Sequence, residues 1–318
     1  MVMEGPMAVM KSTANPAPVR IRRSRSTISV FTMLNYLIML GIGLVTLFPF
    51  YTTAVNSISP PEDFLMKEII LWPSKFDPSY YQLILSGDSD LFLAYRTTII
   101  VTVLGTAINM ALTSITAFAL AQKKLPYRLQ ITFFMVFTMF FGGGMIPGFL
   151  LVQNLGMLNT IWSMIIPGAI STGYVLLMRN FFMTIPAELS ESASIDGCSE
   201  LRILLRIILP LSLPAMATFT LFYAVEHWND FYSGMLYISD YRLQPLQVYL
   251  RQVLYDATVR ADPETMQKLM GDGSLRYSPP SDAMKAATVM AATIPIICVY
   301  PFLQKYFVKG MLMGSLKG

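Results

Sequence analysis

The sequence predicts an all-α integral membrane protein with six spanning helices, and three observations carry the prediction. Of 318 residues, 54% are hydrophobic and only 13% are charged; an ordinary soluble domain carries roughly 25% charge. Several apolar runs are long enough for a helix to cross a bilayer, whereas barrel strands would be short and alternating. The basic residues concentrate in alternate segments, as a fixed membrane topology requires. Mean hydropathy is +0.53.

Residues 1–28 are polar and close with Arg20, Arg22, Arg23 and Arg25. No short apolar core with a small-residue cleavage site follows, so this reads as an uncleaved cytoplasmic tail. A spanning domain over 29–308 comes next. Its apolar segments lie at about 30–55, 94–121, 129–151, 160–184, 203–226 and 284–308, each near the ~20 residues a span needs. Pro49, Pro147, Pro167, Pro210, Pro214, Pro295 and Pro301 fall within or near their ends, where proline removes a backbone bond and kinks a helix. With the N-terminus inside, the inner segments hold Lys11, the four tail arginines, Lys123, Lys124, Arg128, Arg179, Arg202, Arg206, Lys305, Lys309 and Lys317. The acidic residues on that side are only Glu4, Glu188, Glu191, Asp196 and Glu200. Both termini, the 309–318 tail and the 185–202 segment are then cytoplasmic. Two long loops, 56–93 and 227–283, face outward. The first is a surface for an outside partner or a lid over the bundle. The second holds a short amphipathic helix at about 244–255, read from its apolar periodicity.

Composition excludes much chemistry. Cys198 and Cys298 sit in or beside apolar helices and read as small buried side chains rather than a disulfide framework. One histidine, His227, rules out a multi-histidine metal site. The chain lacks a G-x-x-x-x-G-K-[ST] loop, so it does not cradle a nucleotide phosphate in that way. A net charge of +4 is no nucleic-acid signal. A secondary transporter or channel would need buried charge pairs or broken helices in two matching halves. A membrane enzyme would need a nucleophile with a base, or a metal cluster, within the spans. Neither pattern is present in the sequence.

The informative stretch is ESASIDGCSELRILLRIILPLSLP at 191–214. Pro186 suits the first turn of a helix, and Gly197 suits a left-handed stop. Between them lies a helix of two to three turns, too short to hold itself in water, so it needs a partner surface. Ser192, Ala193 and Ser194 allow close backbone approach. Glu191 offers a carboxylate that an arginine can grip with two hydrogen bonds. Arg202 and Arg206 anchor the following helix at the headgroups with their stems in the apolar layer.

This stretch resembles the EAA loop of permease subunits of ATP-binding-cassette (ABC) importers, written E-A-A-x3-G-x9-I-x-L-P. Glu191, Ser192, Ala193 and Gly197 match its first part, and Ile207, Leu209 and Pro210 its second, at the right spacing. Ser192 departs from the second alanine but stays small. The fuller pattern of carbohydrate-uptake permeases adds an Asp before the Gly and a later Pro, matched by Asp196 and Pro214. FGGGMIP at 141–147, LGMLNT at 155–160, LMRNFF at 177–182, HWND at 227–230 and KGMLMGSLKG at 309–318 are similar to sugar permeases of the maltose type. Within these they resemble the subgroup encoded with binding proteins for complex oligosaccharides. The resemblance covers nearly all of 30–318. It implies a MetI-like permease core of six helices, located in a bacterial cytoplasmic (inner) membrane. It implies a second homologous permease, two ATPase subunits that carry the ATP, and an extracytoplasmic solute-binding protein that delivers the sugar. The short cytoplasmic helix would dock in an ATPase cleft, with Glu191 pairing to an ATPase arginine. This chain itself would bind no cofactor and catalyse no reaction. The 309–318 tail would reach between the ATPase subunits or simply anchor the end of the last span.

Two further groups are pathway candidates. Gly142, Gly143 and Gly144 either line a sugar path with backbone or allow close helix packing. Tyr223 and Trp228, with Tyr232, either stack on sugar faces near the outer mouth or form an interfacial aromatic belt.

Overall fold

In a computed structural model, residues 30–67, 69–84, 90–260, 282–295 and 297–298 are described. Every regular element among them is helical. The chain divides into two units, Met1–Pro49 and Phe50–Gly318. In the first, Val30 opens helix α1 (Val30–Asn56), which is apolar and long enough to cross a membrane.

In the second unit, α1 ends at Asn56, and two short helices follow: α2 (Pro61–Met66), with proline at its first position, and α3 (Ser79–Ile84). Helix α4 (Asp90–Ala121) is the central post. Its 32 residues reach about 48 Å at 1.5 Å per residue, more than the ~30 Å hydrocarbon layer. Helices α5 (Arg128–Phe140) and α6 (Met145–Asn154) follow, then α7 (Trp162–Ile165) and α8 (Thr172–Phe182). Next come α9 (Ala187–Ile195) and α10 (Glu200–Ile203), a π turn (Leu204–Ile208), α11 (Leu209–Leu211) and α12 (Leu213–Trp228). Helices α13 (Tyr232–Tyr237) and α14 (Leu246–Arg260), and a helix over 282–295, α15, complete the described chain.

Of the six expected spans, α1 and α4 are continuous helices of spanning length. Two others are bent pairs. Helices α5 and α6 turn by 112° across Phe141–Gly144, and Glu200–Leu211 turns by 90° into α12. The 160–184 stretch is likewise interrupted between α7 and α8. The causes are local. Gly144 at φ +88° takes a conformation that side chains disfavour. Pro210 and Pro214 each lack an N–H and crowd the preceding turn. The π turn before Pro210 widens the helix, and Ser212 (φ −101°, ψ 11°) breaks it, as expected where the i→i−4 ladder is interrupted. Only the first part of the 284–308 span is described. The 1–28 and 309–318 tails and the distal part of the 227–283 loop, 261–281, lie outside the described residues.

Helices α8, α12 and α14 pack on α4. The main core joins Met110, Ala117, Phe118 and Leu120 of α4 to Val175, Met178 and Phe182 of α8 and to Phe219 and Tyr223 of α12. A second core gathers Ile84, Leu91, Leu246, Ala287 and Ala291. Gly105 of α4 makes one close crossing possible: a Cβ there would stand less than 3.0 Å from Nε2 of His227 on α12. The amphipathic helix expected at 244–255 is α14. Of the cysteines, Cys198 is half-buried but Cys298 is exposed. The expectation of two buried thiols therefore fails for Cys298, whose apolar neighbourhood in sequence is not an enclosed one in space.

Candidate functional site

Helix α9 begins after Pro186, at φ −54°, and carries Glu188 in its first turn, where a carboxylate favours the positive end of the helix. It ends as the sequence required. Gly197 stands at φ +79°. Its amide donates to the Ser194 carbonyl at 3.1 Å, and the Cys198 amide donates to the Ala193 carbonyl at 2.9 Å. This pair of bonds is the Schellman arrangement, which satisfies carbonyls otherwise orphaned at a helix end. The side chains repeat the link: Ala193 is buried in the main core and Cys198 packs against it.

The two halves of the 191–210 motif meet in that core. Ile203, Leu204 and Ile208 are buried with Ala193, and Ile207 and Leu209 pack against them. The Gly-turn and the fixed spacing to Ile207 and Leu209 therefore serve one purpose: a nine-residue helix, which would not persist alone, is clamped to the bundle at a single buried alanine. Pro210 is exposed at the bend.

The opposite face of α9 is open. Glu191, Ser192 and Asp196 are exposed, and no described basic group pairs with Glu191. One turn from Glu191, Ile195 is 87% exposed, and Leu189, one turn before Ala193 on the packed side, is also exposed. Leu189 and Ile195 were missed in the sequence, although an isoleucine amid Ser, Ala and Asp was signal enough. An apolar side chain standing out beside an unpaired carboxylate suits protein contact better than water.

The other sequence candidates lie elsewhere. Tyr223 is 1% exposed. Its hydroxyl is 2.7 Å from Oγ1 of Thr113 on α4 and accepts from the Ser171 amide at 3.3 Å, and its ring meets Tyr174 edge-on at 4.9 Å. It is a satisfied strut inside the chain's own bundle, not a ring at an aromatic belt. Tyr174 in turn donates to Glu226 at 2.6 Å. Trp228 is half-buried, tilted against Tyr95 with ring centres 6.4 Å apart. Gly142, Gly143 and Gly144 are exposed at the α5–α6 break. Gly144 needs its positive φ, but a Cβ on Gly142 would meet nothing within 4 Å. Intrachain packing therefore does not explain Gly142. Exposed main chain at Gly142 and Gly143, about 20 Å along α5 from Arg128, is compatible with the hydrocarbon layer only where protein or water covers it, whereas the Gly144 carbonyl accepts from the Gly148 amide at 3.3 Å.

The family of binding-protein-dependent transport system inner membrane components matches residues 123–313. The chain is 42% identical over 289 residues to the polygalacturonan/rhamnogalacturonan transport system permease protein YtcP of Bacillus subtilis, covering 91% of this chain and 99% of that protein. It is 41% identical over 289 residues to protein LplC of the same organism, covering 91% and 95%. Among solved structures it is similar, with a TM-score of 0.78 and 32% identity, to a chain of a bacterial ABC transporter involved in the import of the acidic polysaccharide alginate. That match covers 89% of this chain and 98% of the other.

Proposed function

The chain belongs to the family of binding-protein-dependent transport system inner membrane components, and we propose that it takes up an oligosaccharide and is driven through α9. It is a permease subunit of an ATP-driven sugar importer, a transport subunit rather than an enzyme. In our reading it pairs with a second homologous permease to form the path. A solute-binding protein delivers the sugar from outside, and two ATPase subunits hydrolyse ATP inside, where both termini of this chain also lie. Six spans cross the inner membrane, counting each bent pair as one.

The observation that carries the coupling role is the two-faced α9. Ala193 and the Gly197 stop lock one face to the core. Glu191, Ser192 and Ile195 stand free on the other. An ATPase cleft that accepts Ile195 and presents an arginine to Glu191 gains an apolar contact and a charge-assisted bond. Because α9 joins α10 through only Asp196–Ser199, displacement of α9 is transmitted to the bundle. A pull that favours one of two bundle arrangements shifts their populations by its differential contacts. The exposed Gly142–Gly143 backbone lines the path, where sugar hydroxyls meet its N–H and C=O groups. Tyr223 supports the wall from behind.

The test is uptake by proteoliposomes holding this chain, its partner permease, the ATPase and the binding protein, with acidic and neutral oligosaccharides compared. ATP-dependent accumulation of an oligosaccharide, lost in Glu191→Ala at unchanged complex yield, supports the reading. Solute entry by this chain without ATPase or binding protein would instead make it a channel or secondary transporter.

A further inference from the structure

The 57–79 segment of the outer loop is a small built structure. Asp63 is buried at 4% exposure; its carboxylate accepts from the Ser74 amide at 2.8 Å and from Nζ of Lys67 at 3.2 Å. The Asp77 amide donates to the Ile58 carbonyl at 2.9 Å, and the Tyr81 hydroxyl donates to Oγ of Ser57 at 2.8 Å. Ile70 is buried. Yet the same segment holds Ile69, Leu71, Trp72 and Phe76 outward, Trp72 at 77% and Phe76 at 71% exposure. A loop this well fastened does not expose two aromatic rings through slackness.

One contact fixes the depth of the patch. The Tyr51 hydroxyl donates to the Leu71 carbonyl at 2.6 Å. Tyr51 lies five residues before the end of α1 at Asn56, about 7 Å back along the helix axis. Leu71, and Trp72 next to it, therefore lie beside the last turns of α1. They are folded back down the side of a spanning helix, by more than one turn from its end.

We propose that Ile69, Leu71, Trp72 and Phe76 insert into the headgroup–acyl boundary of the outer leaflet, so that this loop is a lipid-binding anchor at the outer end of the first span. Indole and phenyl rings are favoured at that depth, and apolar side chains on a surface element bury several ångströms into it. Lys75, exposed between Ser74 and Phe76, reaches lipid phosphate while its stem stays apolar. The inference rests on the membrane span and on the cytoplasmic termini proposed above, not on the identity of the sugar.

The test places Trp162→Phe and Trp228→Phe in the assembled importer, leaving Trp72 as its only tryptophan in this chain, and uses tryptophan-free variants of the partner subunits. The complex is reconstituted in phosphatidylcholine–phosphatidylglycerol vesicles with lipids brominated near the headgroup or near the chain end. The proposal expects loss of most Trp72 emission with the shallow bromines and less loss with the deep ones. Emission untouched by either lipid overturns it. Quenching by aqueous iodide would then mean that the patch faces water, and resistance to iodide as well would mean that a protein subunit covers it. Should the double variant fail to assemble, Trp72→Cys in a Cys198→Ser, Cys298→Ser background carries an environment-sensitive fluorophore and gives the same readout.

Discussion

The Cys198 amide donates to the Ala193 carbonyl at 2.9 Å, across a Gly197 that stands at φ +79°. This bond closes the end of α9 and sets the direction in which the chain leaves for α10. Any side chain at 197 meets the left-handed penalty of about 1–2 kcal/mol. Gly197→Ala is expected to lower ATP-driven uptake while leaving the chain in the membrane. Gly197→Asn, which tolerates that conformation better, is expected to recover part of the loss. Equal activity of Gly197→Ala and the unaltered chain in the proteoliposome assay would mean that the turn does not transmit force.

The open face of α9 makes a second prediction. Glu191→Ala and Ile195→Asp are expected to reduce co-purification of the ATPase with this chain. Burying an isoleucine is worth about 1.5–3 kcal/mol, so Ile195→Asp is expected to weaken assembly by tenfold or more. Thermal stability of the isolated permease pair should change little, because neither side chain is buried in the chain itself. Unchanged co-purification of both variants would remove α9 from the contact.

Much of this site was legible because its chemistry is local. Pro186, the small residues and Gly197 specify a short helix and its stop within a dozen positions, and the structure has that helix at Ala187–Ile195. What stayed hidden depends on distance in sequence. Nothing near Tyr223 announces that Thr113, 110 residues away, holds its hydroxyl, so its ring read as a belt residue first and as a sugar platform second. The long apolar runs revealed that the chain enters the membrane but not the 112° and 90° bends, because hydropathy averages over a break. The prolines and glycines marked where the ladder was weak; only packing decides how far it turns.

Gly105 gives a third prediction. Its missing side chain is the space occupied by the His227 ring, whose Nε2, Cε1 and Cδ2 atoms would all lie within 3.0 Å of a methyl carbon placed at 105. Gly105→Ala forces α4 and α12 apart, and overpacking of this kind costs typically 1–3 kcal/mol. The expected result is a lower thermal midpoint of the purified complex, relieved in Gly105→Ala with His227→Ala. Non-additivity of that pair is the signature of direct contact.

The 57–79 loop supplies a pH dependence. The Ser74 amide, and after it Lys67, holds the Asp63 carboxyl below its ordinary value of 3.8. A carboxylate favoured in the folded loop contributes stability that is fully present above its unfolded pKa and disappears as pH falls through the lower folded value. Hydrogen exchange over 61–77, taken relative to the intrinsic amide rate at each pH, is therefore expected to stay flat from neutral pH down to about 5 and to accelerate below about 4. Asp63→Asn is expected to accelerate it already at neutral pH, since the ion pair to Lys67 is then absent.

Coupling requires that α9 face an ATPase. The most direct measurement places a single cysteine at Ser192, in a Cys198→Ser, Cys298→Ser background, and crosslinks it to the co-expressed ATPase subunit in inverted vesicles. Crosslinking whose yield changes when ATP is bound is the predicted result. Labelling of Ser192→Cys from the outer face alone, or accessibility from inside with no crosslink under any nucleotide condition, would contradict it.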